Sequence, residues 1–361
     1  MQDYIIVGGG VVGSFIAYEL SKYNKKVTLI EKEKDLALVQ TKHNSALVHS
    51  PVMVPPEKGT LKAKLALEGN LTYQTLAEKL GVPHLKNGAY VLAVNEAEKS
   101  ILDDLLKEAK SRNLNAELLD DKTLRKREKN ISKSVVAGLF LKDAMTADTF
   151  KLCQTLEQLA KDNGVTFKKQ TEVNAINIIE EGFLVKTLRN DHLMTKHVIN
   201  ASGVKAEEIA KMVETKVPYK MMPHRGEYMV LPEKYRGFVT STFFPVPKKD
   251  TKGVLVIPQP DGTIRLGPTS VYQPSLEDAP VTEEGLTEIK QTINQLLNYV
   301  PYKDIERTYA GVRSTIDQDD FYIARSKEHP NFIHVAGIDS PGVTAAPGIA
   351  KYVRETILNI Q

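Results

Sequence analysis

The chain has 361 residues, 42% hydrophobic and 26% charged, which is typical of a globular protein large enough for two hydrophobic cores. The 48 basic and 45 acidic residues nearly cancel, so the charge gives no reason to expect nucleic acid as a partner and favours small molecules. Its single cysteine, Cys153, excludes an intrachain disulfide, and no Cys or His spacing predicts a metal site. Without a basic leader or a long apolar segment, we expect a cytoplasmic protein, with peripheral membrane contact left open.

The first elements predict a compact βαβ unit. Apolar runs predict strands over residues 3–7 and 26–31, with a helix over 11–23 between them. The helical patterns that follow are found over 60–80, over 101–110 and in the segment that Asn163-Gly164 stops.

The middle and the end of the chain differ in character. "RGEYMVL" and "GVLVIPQPDGTIRLGP" predict strands, with a hairpin turn at Pro260-Asp261-Gly262. A helix is predicted over 286–300, where Pro301 ends it. "FIHVAGIDSPGVTAAPGIAKYVRETI" then predicts a strand, a glycine-rich turn and a helix. We therefore predict an α/β fold in which Rossmann-like elements from both chain ends enclose a sheet-rich lobe.

The first turn carries a dinucleotide-binding pattern. Gly8, Gly10 and Gly13 form GxGxxG between a strand and a helix, and Glu31 ends the next strand where a carboxylate can hold ribose hydroxyls. The glycines let the backbone approach a pyrophosphate, which the helix N-terminus attracts. Glu31 argues against the ribose phosphate of NADP, but the pattern leaves a nicotinamide and a flavin dinucleotide both open.

Four segments together carry a family resemblance. "IIVGGGVVGSFIAYELSKYNKKVTLIEK", "TKHNSALVHS", "HVINASG" and "GIDSPGVTAAPGIA" resemble the FAD-dependent oxidoreductases of the D-amino-acid-oxidase (DAO) superfamily, in the branch of glycerol-3-phosphate dehydrogenase or oxidase, with L-2-hydroxyglutarate dehydrogenase as a close relative. The resemblance implies a glutathione-reductase-type flavoprotein fold. It implies an FAD-binding domain of residues 1–80, 145–215 and 305–361, interleaved with a substrate-binding domain of 81–144 and 216–304.

The resemblance also implies which residues contact FAD. The first cradle and the following strand contribute one group, the Asn-Ser-x-x-x-His segment a second, and later strand ends and the last helix a third. The residues so assigned are Gly8, Gly10, Val12, Gly13, Glu31, Lys32, Thr41, Asn44, Ser45, Val173, Ala201, Ser202, Gly203, Gly342, Val343 and Thr344.

A small anionic substrate is implied by a second set, Ser45, His49, Lys252, Arg313 and Ser340. His49 and Arg313 are assigned as catalytic. A histidine suits removal of a hydroxyl proton because its pKa lies near the working pH. An arginine suits a phosphate or carboxylate through paired hydrogen bonds, and Lys252 would add a point charge unless it lies in a surface turn.

The expected reaction is hydride transfer from an anionic secondary alcohol to flavin N5, foremost from sn-glycerol 3-phosphate to dihydroxyacetone phosphate. An L-2-hydroxy acid or an amino acid is the alternative substrate. An alternative hypothesis from another functional class is a flavin-binding protein that has a structural FAD and acts through a partner. It draws on Ala46, where the family usually has glycine, and on Ser50-Pro51, where it has a small residue and glycine. The electron acceptor (oxygen, a quinone or a carrier protein) and the oligomeric state stay open.

Overall fold

A computed structural model describes residues 1–247, 253–277 and 279–361 of the chain. Lys252, which the sequence assigns to the substrate, lies outside these residues. Among the helices that are described, none is long and apolar enough to cross a membrane.

The elements of the described residues alternate between strands and helices. In chain order they are β1 (Gln2–Val7), α1 (Val11–Leu20), β2 (Val27–Ile30), β3 (Leu47–Val48), α2 (Thr60–Lys79), β4 (His84–Leu85), β5 (Ala89–Ala93), α3 (Glu96–Ser111), β6 (Ala116–Asp120), α4 (Asp121–Arg127), β7 (Ala137–Leu141), β8 (Met145–Ala147), α5 (Thr149–Asp162), β9 (Thr166–Lys168), β10 (Val173–Ile179), β11 (Gly182–Thr187), β12 (His192–Asn200), α6 (Ala206–Ala210), β13 (His224–Leu231), β14 (Thr242–Pro245), β15 (Leu255–Pro258), β16 (Ile264–Gly267), β17 (Val271–Tyr272), α7 (Glu283–Leu296), β18 (Arg307–Arg313), β19 (Tyr322–Arg325), β20 (Phe332–Ala336) and α8 (Gly342–Tyr352).

The first sheet contains strands from both halves of the chain. Its order is β10-β11-β12-β1-β2-β9, and β20 pairs with β12 and with β19. Strands β9, β2, β1, β12 and β20 are parallel neighbours, so their carboxyl ends meet at one edge. Gly8, Glu31 and Ala201 directly follow three of these strands, at the edge where open α/β sheets bind ligands. A hydrophobic core joins this sheet to α1, α2, α5 and α8.

The second sheet has the order β17-β13-β16-β15-β14-β5-β7-β6, with β18 also paired to β13. Its central strands β5 and β15 are buried on both faces. In β5, Tyr90 and Leu92 belong to a core with α7, whereas Val91 and Ala93 belong to another with α3. Because successive side chains of a strand point to opposite faces, a strand covered on both faces is apolar throughout, as "AYVLA" is.

A small third sheet, in the order β3-β8-β4, positions the segment that contains His49. Leu47 and Val48 of β3 pair with Thr146 and Met145 of β8. His49 leaves this sheet directly after Val48.

The helix that we predict to run to Pro301 ends earlier. Helix α7 ends at Leu296, and Leu297 has an extended backbone that forms an isolated β-bridge with Ile131. The amide of Ser132 donates to the Leu296 carbonyl at 2.8 Å, so contacts with a distant segment end the helix before proline can.

The predicted α/β fold with a sheet-rich second lobe is confirmed. Strand β18, inside the segment 305–361 that we assign to the FAD-binding domain, pairs in the second sheet. The domain boundaries themselves stay a prediction.

Candidate active site

The glycine-rich turn between β1 and α1 forms a cradle with no room for side chains. Gly8 has a φ of +107°, and a Cβ on it would lie 2.4 Å from the carbonyl oxygen of Ala201. A Cβ on Gly13 would lie 2.0 Å from the carbonyl oxygen of Gly8, so only glycine lets α1 start this close to the strand. Gly10 is the N-cap residue of α1, and Val12 is half-buried in its first turn. A bare backbone at a helix N-terminus fits the pyrophosphate of FAD.

The Glu31 carboxylate lies beside this cradle. It accepts hydrogen bonds from the amides of Gly9 at 2.6 Å and of Glu33 at 2.8 Å, and it is 9% exposed. Burial raises the pKa of this carboxyl, although the two amides act in the opposite direction. Lys32 follows Glu31 and is exposed, with its Nζ 3.9 Å from carboxylate oxygens of Glu33 and Glu277. The edge of the sheet beside the cradle therefore has an acceptor suited to hydroxyl groups at the position that the sequence predicts.

Further strand ends complete the edge. The Ala201 amide donates to the carbonyl of Val7 at 2.9 Å, and the Ser202 hydroxyl donates to the Asn200 side chain at 2.6 Å. Gly203 has a φ of +60°. Val173 lies in one hydrophobic cluster with Val7 and Ile30. Val173, Ala201, Ser202 and Gly203 are thus gathered with Gly8 and Glu31, and their contacts with FAD stay a prediction.

The loop from Thr41 to Ala46 is fixed mainly by its own side chains. Thr41 Oγ1 accepts from the Val11 amide at 3.0 Å, which ties the loop to the start of α1. Asn44 Nδ2 donates to the Thr41 carbonyl at 2.6 Å, and Asn44 Oδ1 accepts from the Ala46 amide at 2.6 Å. The Ser45 carbonyl accepts a hydrogen bond from Gln259 Nε2 at 3.2 Å. The Asn44 amide therefore shapes the loop, and its predicted contact with FAD is untested.

Ala46 shows why glycine is usual at its position in the family. It is buried and has a φ of +56°, a left-handed conformation that costs a non-glycine residue about 1 kcal/mol. The hydrogen bond from its amide to Asn44 holds this conformation. The departure from the family pattern thus keeps the loop geometry at a small cost in stability.

His49 is held through its main chain from two sides. Its amide donates to Thr344 Oγ1 at 2.9 Å, and its carbonyl accepts from Asn70 Nδ2 at 2.9 Å. The residue is 6% exposed, and its ring centroid lies 5.9 Å from that of Phe244. His49 Nε2 lies 3.5 Å from Ser340 Oγ. The structure therefore brings together three predicted residues, His49, Ser340 and Thr344.

Close packing of α2 against α8 places both holding residues. A Cβ on Gly69 would lie 1.9 Å from the Thr344 carbonyl, and a Cβ on Gly348 would lie 2.6 Å from the Leu65 carbonyl. The two helix backbones are therefore in contact, with Asn70 and Thr344 at their meeting point. This contact delivers a side chain from each helix to His49.

The start of α8 faces the same region. Gly342 is the first residue of α8, and Val343 and Thr344 complete its first turn. First-turn amides have no partner within a helix and attract negative charge. The turn therefore suits the edge of a flavin that becomes anionic on reduction, as the sequence predicts.

Arg313 lies at the end of β18 and is half-buried. Its Nη2 donates to the Thr269 carbonyl at 2.9 Å, and its Nη1 lies 3.5 Å from Ser270 Oγ. The next residue, Ser314, donates to the Ile338 carbonyl at 2.9 Å and so links this end of β18 to the turn before α8. Arg313 is therefore at the same end of the second sheet as the His49 region.

Sequence reasoning missed Asn70, Phe244, Arg265 and Tyr309. Arg265 Nη1 and the Tyr309 hydroxyl both donate to the Asn44 carbonyl, at 2.6 and 3.0 Å. Each reaches the loop from a distant element, and none belongs to a motif. A polar residue inside the apolar stripe of α2 was the one available signal, and it concerned Asn70.

Comparison with known proteins agrees with this geometry. Residues 3–356 match the family described as DAO, FAD dependent oxidoreductase. The chain is 34% identical to a glycerol 3-phosphate dehydrogenase of Caloramator mitchellensis, over 100% of this chain and 74% of the relative. It is 30% identical to a glycerol 3-phosphate oxidase of Mycoplasma genitalium, over 99% of this chain and 95% of the relative.

A solved structure has the same fold. The dithionite-reduced L-alpha-glycerophosphate oxidase of Mycoplasma pneumoniae with FAD bound superposes with a TM-score of 0.91. The two chains are 29% identical, and the match covers 100% of this chain and 95% of that one. The chain therefore belongs to the FAD-dependent oxidoreductase (DAO) family, and FAD is its cofactor.

Proposed function

We propose that this chain oxidises sn-glycerol 3-phosphate to dihydroxyacetone phosphate, with His49 as the base and Arg313 as the anion-binding group. The observation that carries the proposal is the buried His49 ring beside Ser340, in a chain whose similar proteins are named glycerol 3-phosphate dehydrogenase and oxidase. The cytoplasmic location expected from the sequence is part of the proposal.

The chemistry needs a base at a fixed position. When bound, FAD supplies the two-electron acceptor that receives the hydride from the substrate carbon. His49 takes the hydroxyl proton, so that the C–O single bond becomes a carbonyl as the C–H bond breaks. The hydrogen bonds to Thr344 and Asn70 hold the main chain of His49, which keeps the ring at one distance from the substrate. Ser340 adds a hydroxyl next to the same ring.

The anionic end of the substrate is assigned to Arg313. Its two terminal nitrogens can bind two oxygens of a phosphate or carboxylate, which fixes orientation as well as charge. In the protein without substrate, Thr269 and Ser270 hold this guanidinium at the edge of the second sheet. An L-2-hydroxy acid or an amino acid could use the same contact, so the substrate has to be chosen by experiment.

The test is anaerobic reduction of the purified flavoprotein. We expect sn-glycerol 3-phosphate to bleach the oxidised flavin absorbance, and L-2-hydroxyglutarate and amino acids to do so much more slowly. Faster bleaching by either of these would replace the proposed substrate. A flavin that none of them reduces would favour a structural FAD.

A matched pair of arginine variants tests the anion contact. Arg313→Ala should raise the substrate concentration needed for half-maximal reduction by about a hundredfold, because a charge-assisted contact is lost. Arg189 is an exposed arginine in the turn between β11 and β12. Arg189→Ala should leave this concentration unchanged. Equal behaviour of the two variants would remove Arg313 from the proposal.

The electron acceptor is the remaining part of the reaction. Oxygen, a quinone and a carrier protein each accept electrons from reduced flavins. Rapid mixing of the substrate-reduced protein with oxygenated buffer tests oxygen, since an oxidase is reoxidised within its turnover time and a dehydrogenase is not. Mixing the reduced protein anaerobically with a soluble quinone then tests the quinone.

A further inference from the structure

A cleft of about 500 Å³ lies between the two lobes. Its walls are the loop before Asn44, the start of α5, the β15–β16 hairpin and the first half of β18. This volume is in the range of small-molecule sites. Within the described residues, none of those assigned to the substrate, Ser45, His49, Arg313 and Ser340, lines it.

The cleft is remote from the anion contact of the proposed reaction. Arg307, in its wall, and Arg313 are the two ends of the seven-residue strand β18. At about 3.3 Å per residue, they are separated by about 20 Å. A ligand of the cleft therefore cannot bind to Arg313 as well, unless it is much longer than glycerol phosphate.

Three cations, Lys42, Arg265 and Arg307, line the cleft, and no described residue forms an ion pair with any of them. The side chains of Lys42 and Arg307 make no ion pair within residues 1–247, 253–277 and 279–361. Arg265 directs Nη1 to the Asn44 carbonyl at 2.6 Å. Burial raises the pKa of the Tyr309 hydroxyl, and the positive charges of Arg265 and Arg307 oppose this rise, as expected if both point toward the cleft wall.

The two carboxylates of the cleft are engaged elsewhere. Asp148 caps α5 and accepts from the Lys151 amide at 2.9 Å. Asp261 accepts from the Thr263 amide at 2.9 Å within the hairpin turn. In the described part of the chain neither forms an ion pair with the three cations. Both aspartates keep their negative charge, so three positive and two negative side chains give the described lining a net charge of +1, and the cations can still bind a phosphate.

The wall also has an apolar portion. Phe150 and Tyr309 line the same cleft, and Tyr309 is stacked on Tyr228 with ring centroids 4.7 Å apart. We propose that this cleft binds a small phosphate-bearing molecule, with its phosphate on Lys42, Arg265 and Arg307 and its apolar part against Phe150 and Tyr309. Through the Asn44 carbonyl, such a ligand would contact the loop that leads to His49.

The test uses the FAD-loaded protein with Arg313→Ala, which removes the predicted anion contact of the substrate site. Titration with phenyl phosphate in a calorimeter should show one saturable site, weakened by added salt. Adding Arg307→Ala or Lys42→Ala should weaken binding about tenfold each, and the double change should weaken it about a hundredfold. These side chains have no described ion pair to lose, so folding and FAD content should be unaffected.

Controls separate the ring from the charge. Phenol alone should not bind, and inorganic phosphate should bind more weakly than phenyl phosphate. Arg189→Ala, in the same background, should change nothing. The proposal is overturned if Arg313→Ala alone removes all binding, if no saturable binding occurs, or if the Lys42→Ala, Arg307→Ala protein binds as before.

Discussion

Two buried histidines of this protein are held in opposite ways. His49 is fixed through its main chain by Thr344 and Asn70, and its ring lies beside Ser340. His334 is fixed through its ring, because Nε2 lies 3.1 Å from Glu214 Oε1 and Nδ1 lies 3.2 Å from the Tyr219 hydroxyl. Burial alone therefore does not identify a catalytic histidine. In the proposed reaction the ring of His49 acts on the substrate, whereas the ring of His334, which has a partner at each nitrogen, is part of the structure.

The surroundings of His334 support this difference. The rings of Tyr219, Tyr322 and Phe332 have centroids 5.0 to 5.5 Å from that of His334. Burial lowers the pKa of His334, although Glu214 acts in the opposite direction. We therefore expect a neutral His334 at physiological pH, joining β20 to the segment after α6.

The largest effect is expected at His49. His49→Gln should lower the rate of flavin reduction by substrate about a thousandfold, because the proton acceptor is lost. The free energy of unfolding and the FAD content should stay near those of the unchanged protein. Stopped-flow absorbance measures the rate, with the exposed His192→Gln as control. A His49→Gln protein that is reduced at the normal rate would break the comparison.

For His334 we expect the opposite result, a loss of stability with the reduction rate retained. His334→Phe should lower the free energy of unfolding by about 3 kcal/mol, because the buried Glu214 carboxylate loses a hydrogen-bond donor. The reduction rate per bound FAD should be retained. Urea unfolding followed by fluorescence measures the first quantity. A large loss of rate at full FAD content would contradict a structural role for His334.

The pH dependence of stability follows from the same residue. Because the pKa of folded His334 is below its unfolded value of about 6.5, the unfolded chain binds the proton first as pH falls. The contribution of neutral His334 is complete above the unfolded pKa and decreases as pH falls toward the folded pKa. His334→Phe should flatten this part of the curve of unfolding free energy against pH, and an unchanged slope would assign it to other groups.

A smaller effect is expected at Asn70. Asn70→Ala removes the donor to the His49 carbonyl and should lower the reduction rate about tenfold, because a loosely placed base is less effective. FAD content should be retained. Thr72→Ala, an exposed change in the same helix, should have no effect on the rate. If Asn70→Ala lowered stability and left the rate unchanged, the hold on the His49 main chain would be structural only.

The smallest effect concerns Ala46. Ala46→Gly should raise the free energy of unfolding by about 0.5 kcal/mol, because glycine adopts a positive φ without steric cost. Ala63→Gly, in α2, should lower it by about 1 kcal/mol, since glycine weakens a helix. Thermal unfolding of both variants measures the two signs. A destabilised Ala46→Gly protein would mean that the methyl group itself is needed.

The sequence predicts best what depends on neighbouring residues. Gly8 and Gly13 are five positions apart, so the glycine pattern of this short segment is enough to predict a turn in which the backbone must be free of side chains. The predicted end of α7 was wrong, because Ile131, which is distant in the sequence, pairs with Leu297. The main-chain hold on His49 needs the contact of α2 with α8, which no motif encodes. The sequence shows only that Ala46 stands where the family usually has glycine. Its positive φ, which gives the physical reason, is known from the structure.

The hydrogen bond between His49 and Thr344 joins residues 295 positions apart. A ribosome makes the chain from its N-terminus, so the glycine cradle emerges well before Thr344, the partner of His49. A nascent chain stalled before α8 therefore contains the first cradle without the helix that completes the site. The candidate site can therefore be completed only after α8 has been synthesised.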